Sequence, residues 1–363
     1  MLSGINLKGL NPNNMSRAER KLDHIKLAIS TGQNRGTMFD DIRFVHQALP
    51  DLDVKGISLH PETGDLNLKS PVFINAMTGG GGVDTEKING LLARAARETG
   101  IAMAVGSQMS ALKNASERAS YQAVRKENPD GVIFGNLGSE ATVKQALEAI
   151  EMIGADGLQI HLNVIQELTM PEGDREFSGA LERIQAIAES IPVPLIVKET
   201  GFGISRETAT KLAAVNVSAI DVSGFGGTNF ASIENERRAR KLTYFQDWGI
   251  PTAAAIVEAR SVFKGPVLAS GGIQHALDMV KAFTLGADAA GLAGSFLKTA
   301  MDEGESQLIA DIEGLKEDLK MMMTALGAKK LSDLPHCPAI ITGDLHQYLS
   351  ARGLDPDSFA NRA

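Results

Sequence analysis

Cysteine is almost missing from this 363-residue chain. Cys337 is the only one, so no disulfide can close within the chain, and nothing suggests a cysteine metal cluster. Long apolar runs are missing too: none approaches the roughly 20 residues that a membrane-spanning helix needs. The first segment, Met1 to Asn14, is polar and contains glycine, without the apolar centre of a signal peptide, so a cytoplasmic setting is expected. Basic charge is in deficit. Lys and Arg number 36 against 44 Asp and Glu, a net charge of −8. A nucleic-acid binder usually carries a net basic domain or stripe. The one dense basic run, Arg237-Arg238-Ala239-Arg240-Lys241, follows Glu234 and Glu236 and reads as a solvated helix face. Neither nucleic acid nor membrane is an expected partner. An anionic small substrate would need a local basic pocket against this background.

What is present is an ordinary globular composition, 43% hydrophobic and 22% charged, with no low-complexity segment. Eight short apolar runs organise it: Val72–Met77, Ile101–Gly106, Val132–Asn136, Gly157–Leu162, Pro194–Lys198, Ala219–Gly224, Val267–Gly272 and Ala289–Gly294. Runs this apolar suit strands buried on both faces. Each breaks at its C-terminal end into glycine or small polar residues. Helix-length segments lie between them, at Thr85–Thr99, Glu140–Ile153, Ala180–Ser190, Arg206–Val215 and Ala276–Leu285. Gly154 stands where a helix C-cap is expected. The pattern predicts a TIM (β/α)8 barrel, whose chemistry sits at the C-terminal strand ends. The expected division is an N-terminal arm and cap at 1–70, the barrel at 71–300, and C-terminal helices packed on the barrel at 301–363. In the arm, Ser16–Ser30 reads as an amphipathic helix opened by a Ser16/Glu19 capping box. The turn signals of Pro61–Asp65 suggest a small hairpin across the barrel. Two segments exceed what a crossover helix requires, Asn163–Gly179 and Gly224–Gly265, and long loops on this face carry lids and substrate contacts.

The ends of the seventh and eighth runs, Ser270-Gly271-Gly272-Ile273 and Ala293-Gly294-Ser295, are where such a barrel binds phosphate. Tight turns without a ligand are the plain alternative. Four glycines follow the first run, Gly79 to Gly82, and Ser107 and Asn136 close the second and third. Lys198 is the one lysine inside a predicted strand, and burying it requires a negative partner. A phosphate site, small polar groups around a ring and one lysine fit a phosphorylated planar cofactor, with FMN the best match. A sugar-phosphate barrel with a Schiff-base lysine would explain Lys198 but leave the glycine ends of the first three runs without a use. The fourth run ends His161-Leu162-Asn163-Val164-Ile165-Gln166-Glu167. His161 and Asn163 share a face of an extended chain. Glu167 could hold Mg2+ with one carboxylate, leaving positions for phosphate oxygens, or could be a surface charge. Arg20, Lys21 and His24 lie within one helical turn and could cap a diphosphate, or could be a solvated face.

Together these motifs resemble the type 2, FMN-dependent isopentenyl-diphosphate isomerase family over nearly the whole chain. The resemblance rests on Arg20-Lys21-x-x-His24, Ala76-Met77-Thr78-Gly79-Gly80, Gly106-Ser107-Gln108, the fourth-run motif with Pro171-Glu172-Gly173-Asp174, Val197-Lys198-Glu199 and Ser223-Gly224-x-Gly226-Gly227-Thr228. Ile233-Glu234-Asn235 and Asp247-Trp248-Gly249-Ile250-Pro251-Thr252 add to it. It implies flavin contacts at Ala76, Met77, Thr78, Ser107, Asn136, Lys198, Ser223, Thr228, Gly271, Gly272, Ile273, Ala293 and Gly294. It implies diphosphate contacts from Arg20, Lys21, His161 and Asn163, Mg2+ on Glu167, and Gln166 beside the reacting alkene. Glu234 is the expected proton relay. Two positions depart from the family pattern: Met109 stands where many relatives carry arginine, and Gln274 where flavin barrels often place a basic residue. The implied reaction moves a double bond in a five-carbon diphosphate, with FMN reduced by NADPH serving as acid/base cofactor. A homo-oligomer is expected, since flavin barrels commonly assemble. The rival is a flavin-dependent 2-hydroxy-acid oxidase, which needs a histidine base and arginines gripping a carboxylate. His275 follows the seventh run, with no arginine beside it. A phosphate-binding barrel without catalysis is a third reading.

Overall fold

The computed structural model describes residues 36–362. Strand β1 (Ile42–Phe44) leads into eight strands that close a barrel in chain order. They are β2 (Val72–Ile74), β3 (Ala102–Ala104), β4 (Ile133–Gly138), β5 (Gly157–Leu162), β6 (Leu195–Glu199), β7 (Ala219–Asp221), β8 (Val267–Ala269) and β9 (Ala289–Leu292). Every neighbouring pair is parallel, and β9 returns to β2. All eight apolar runs therefore become barrel strands. Most of these strands stop before their runs do, because the glycine and polar residues at the ends turn into the loops.

The crossover helices follow the sequence reading closely. The helix expected from Glu140 begins at Val143, because Thr142 caps it: its hydroxyl accepts from Gln145 N–H while Gln145 returns a bond to Thr142 N–H. Gly154 ends that helix in the left-handed conformation, φ 55°. Both long segments contain extra structure. A short helix, Val164–Thr169, follows β5. Helix Phe230–Glu236 and a 3-10 turn at Thr243–Phe245 follow β7, and Thr252–Arg260 is that unit's crossover helix.

Three expectations differ from the structure. No hairpin forms at Pro61–Asp65; Gly64–Leu66 is a 3-10 turn. Its role is to bring Leu66 and Leu68 under the barrel, where they pack with Phe73, Phe134, Ile196 and Leu268. Burying two leucines closes the N-terminal end of the lumen, which a two-faced polar hairpin could not do. Second, the basic run at Arg237 is not a helix face, because the helix stops at Glu236. Third, the C-terminal region is not all helix. Helices Glu305–Ala325 and Gly343–Ala351 are joined there by β10 (Ala339–Ile341), which pairs antiparallel with β1 and ties the two ends of the described chain together. The Ser16–Ser30 helix lies outside the described residues.

Leu68 is 1% exposed in the bottom plug. Leu68→Ala should destabilise the protein by about 2–5 kcal/mol, seen as a lower midpoint in urea unfolding, with ligand binding at the opposite end unchanged.

Candidate active site

Strand register decides which polar side chains meet. Asn136 is the cross-strand partner of Gln159, and His161, Lys198 and Asp221 are successive partners across β5, β6 and β7. Paired residues on neighbouring strands point to the same side of a sheet. The lower lumen is filled by Phe73, Ala102, Ala104, Phe134, Ile196, Ala219, Leu268 and Ala289. Above that apolar floor lies a polar layer. Asn75 Nδ2 donates to Asp221 Oδ2 at 2.7 Å, and Ser270 Oγ to Asp221 Oδ1 at 2.6 Å. Gln159 Nε2 donates to Asn75 Oδ1 at 3.3 Å, and Asn136 Nδ2 to Gln159 Oε1 at 3.0 Å. His161 Nδ1 lies 2.9 Å from Asn136 Oδ1.

The charged members are strongly perturbed. Lys198 is 5% exposed, and its Nζ donates to the Glu199 carbonyl at 2.6 Å. Burial lowers the pKa of Lys198; the charges of Asp221 and, less, Glu199 work against that shift. The negative partner that a buried lysine requires is thus Asp221, fully buried on the neighbouring strand. Burial pushes Glu199 up to about 7, opposed by the N–H groups of Phe202 and Thr200, each 2.6 Å from its carboxylate. Burial, and then the charge of Lys198, pull His161 down to about 3, with the Leu137 carbonyl acting in the other direction. The imidazole is neutral across the physiological range.

Over this layer opens a cavity of about 600 Å3, within the size range of small-molecule sites. All eight strand ends line it. Of the thirteen expected cofactor contacts, the twelve other than Thr78 border this one space: Ala76, Met77, Ser107, Asn136, Lys198, Ser223, Thr228, Gly271, Gly272, Ile273, Ala293 and Gly294. Thr78 does not. Its side chain is buried and donates to Asn89 Oδ1 at 2.5 Å, which anchors the loop after β2 to helix Gly82–Thr99. Gly271 and Gly272 have φ of 97° and 75°. A Cβ there would lie 2.1 Å from Gly224 O and 2.5 Å from Gly226 O. Only glycine allows the turn after β8 to pack so tightly against the loop after β7. Helix Gly294–Asp302 starts at the cavity wall, and a helix N-terminus is a place where anions are favoured. In its first turn, Ser295 Oγ is buried without a partner among the described residues.

The substrate-side candidates gather on the opposite wall. His161, Asn163, Gln166 and Glu167 all border the cavity. Glu167 accepts from Asn163 Nδ2 at 2.9 Å and from Asp174 N at 2.8 Å. Burial raises its pKa; those two bonds lower it, and the charges of Asp174 and Glu140 raise it again. Among the described residues no three acidic, histidine or cysteine side chains form a ready metal cage. Mg2+ typically takes one or two carboxylates and completes its shell with water and phosphate oxygens, so this donor set fits it. Glu234 does not border the cavity. It is fully buried behind Gln166, whose Nε2 lies 3.5 Å from its Oε1, at the outer limit of a hydrogen bond. Arg20, Lys21 and His24 lie outside the described residues. His275 is turned away from the cavity: half-exposed, it caps helix Ala276–Thr284 by accepting from Asp278 N at 3.2 Å.

Sequence reasoning missed Arg237. It borders the cavity and bridges Glu234, at 2.6 Å, and Glu172. The signal was its place three residues after a glutamate, but the basic run disguised it. Asn75, Gln159 and Asp221 were also missed as a group. Their signal was polarity at alternate positions inside apolar strands, as in Gln159 and His161 or Asp221 and Ser223.

Residues 167–339 match the model of the FMN-dependent dehydrogenase family. The chain is 58% identical to an isopentenyl-diphosphate delta-isomerase of Bacillus pumilus, covering 96% of this chain and 98% of that protein. It is 54% identical to one from a Geobacillus species, over 96% and 100%. Among solved structures it resembles a soluble mutant of (S)-mandelate dehydrogenase from Pseudomonas putida, with TM-score 0.59 and 19% identity over 86% of this chain and 97% of that one. It also resembles a flavocytochrome b2 mutant with benzoylformate, with TM-score 0.64 and 18% identity over 94% and 89%. At such identities the structural likeness shows the fold.

Glu199 supplies a pH prediction. Its folded pKa, about 7, lies above the value of about 4.3 for an unfolded glutamate. Between those values the folded state keeps a proton that the unfolded state has lost. Its contribution to stability is therefore full below the lower value and disappears as pH rises through the upper one. Glu199→Gln, which still accepts from both N–H groups, should flatten that decline in urea midpoints measured from pH 4.5 to pH 8.

Proposed function

This chain belongs to the isopentenyl-diphosphate delta-isomerase family, and from that premise we propose that it interconverts isopentenyl and dimethylallyl diphosphate with FMN, Mg2+ and NADPH. One observation carries the reading: Gly271, Lys198, Gln166 and Glu167, from the ends of three strands, β8, β6 and β5, border a single cavity. The residues present fit each group. The glycine turns after β8 and β9, the N-terminus of helix Gly294–Asp302 and the unpartnered Ser295 Oγ suit the phosphate of FMN. Ser107, Asn136, Ser223 and Thr228 supply small polar contacts around the rest. When bound and reduced, FMN supplies the acid/base chemistry at the alkene.

The protein residues do the positioning. The charge of Asp221 opposes the effect of burial on Lys198, whose side chain, when protonated, would stabilise an anionic ligand at the cavity floor. Gln166 orients the alkene, and Glu234 behind it is placed to hold a proton one step from the cavity. Arg237 holds Glu234 in place at 2.6 Å. Glu167 holds Mg2+, with Glu140 and Asp174 adding negative charge nearby. The metal, Asn163 and the basic pair Arg20 and Lys21 of the arm bind the diphosphate. Binding energy gathered at that remote end serves to place the reacting carbons. The hydroxy-acid reading loses the histidine assigned to it, because His275 caps a helix outside the cavity. The enzyme is proposed to work as a cytoplasmic homo-oligomer.

The direct test is anaerobic FMN-loaded protein, reduced with NADPH and supplied with Mg2+ and isopentenyl diphosphate. Dimethylallyl diphosphate should appear by NMR. A yellow, reduced protein that forms none would overturn the reading. Glu167→Gln should raise the Mg2+ concentration for half-maximal turnover by roughly tenfold or more, while FMN affinity stays within about twofold; equal losses in both would remove Glu167 from its role.

A further inference from the structure

The hydrogen bonds of the lumen all run one way, and we propose that Asp221 sets the tautomer of His161 through them. Asn75, Gln159 and Asn136 pass the constraint along. His161 then carries its proton on Nδ1 and presents a bare Nε2 to the cavity as a hydrogen-bond acceptor.

The direction follows from what each group can do. A carboxylate only accepts, so Asn75 must turn its Nδ2 toward Asp221. A second, independent anchor agrees: Ala76 N–H, which only donates, is 2.8 Å from Asn75 Oδ1. That oxygen can only accept, so Gln159 turns its Nε2 to it. Gln159 Oε1 then faces Asn136 and takes a bond from its Nδ2. Asn136 Oδ1 is left facing the histidine, 2.9 Å from Nδ1. With a lone pair on Nδ1, two acceptors would meet at that distance. Each link is constrained by burial: Asp221 and Gln159 are 0% exposed, Asn136 2% and Asn75 5%. Any amide reversal would strand a buried donor or acceptor. The ring borders the cavity.

Asp221, Asn75, Gln159 and Asn136 are positioning residues in this account. Burial and the neighbouring Lys198 keep the ring neutral, so the relay decides its only remaining freedom. A bare Nε2 repels a phosphate oxygen and welcomes an N–H or O–H. His161 therefore meets a donor group of the bound ligand. The charge for a diphosphate comes from elsewhere, from Mg2+ and the arm; that last consequence rests on the isomerase reading, whereas the tautomer does not.

The experiment is 15N NMR of FMN-loaded protein labelled at histidine, with the His161 signals assigned by their loss in His161→Gln. One protonated-type and one bare-type nitrogen are expected, with the proton on Nδ1, unchanged from pH 6 to pH 8. A proton on Nε2, or a doubly protonated ring in that range, would overturn the proposal. In Asp221→Asn, which can offer Asn75 either an oxygen or hydrogens, the single pattern should give way to the other tautomer or an average. Gln159→Met, which cuts the chain but keeps the buried charge pair, should do the same. Retention of the original pattern in Asp221→Asn refutes the role of Asp221. If that variant does not fold, retention in Gln159→Met refutes the relay. The spectrum is read without turnover, so failure of the isomerase activity leaves this test standing.

Discussion

A carboxylate buried on the strand beside a buried lysine organises the upper half of the barrel. Asp221 and Lys198 are cross-strand partners on β7 and β6, in a region that closed barrels usually fill with branched apolar side chains. Charges in such a place persist only when paired and hydrogen-bonded. Asp221 accordingly accepts from Asn75, Ser270 and the backbone of Ser223. Those bonds couple the ends of β2, β7 and β8 to one carboxylate, and through Gln159 and Asn136 they extend to β4 and β5. The mouth is held rigid by polar bonds, and the base by packed leucine and phenylalanine.

This division of labour explains how one fold keeps stability and chemistry apart. The apolar floor, plugged by Leu66 and Leu68, closes the lumen from below. The polar layer above it supplies perturbed groups to the cavity without loosening the core. Glycine turns at the ends of β8 and β9 let backbone come close to an anion. The long segments after β5 and β7 carry Gln166, Glu167, Glu234 and Arg237 around the rim. Two surfaces result, one glycine-rich and hydrogen-bonding, the other acidic.

Much of this was legible in one dimension. The eight strands were visible because strands buried on both faces leave unbroken apolar runs. The helix from Val143 was visible but misplaced at its start, since the capping threonine competes with the helix for the same backbone groups. The hairpin at Pro61–Asp65 was a misreading of turn residues. Local turn chemistry does not reveal that the leucines beyond it have a barrel end to fill. Arg237 was hidden in a basic run whose Arg240 and Lys241 are exposed, and no local rule says which of several adjacent arginines turns inward. Thr78 stood inside a cofactor motif, yet its hydroxyl is taken by Asn89, a partner known only once helix and loop are packed.

The amino-acid sequence alone determined the barrel and the strand ends where its polar groups collect, because burial dictates hydrophobic period and glycine dictates where chain may turn. It also marked Lys198 as a residue in need of a counter-charge. Only the tertiary structure decided which charge that is, and which amides join it to His161. Asn75 and Asp221 are separated by 146 residues and meet because the sheet closes on itself. Closure brings distant strands onto one lumen, and register, which spacing along the chain does not encode, sets who faces whom.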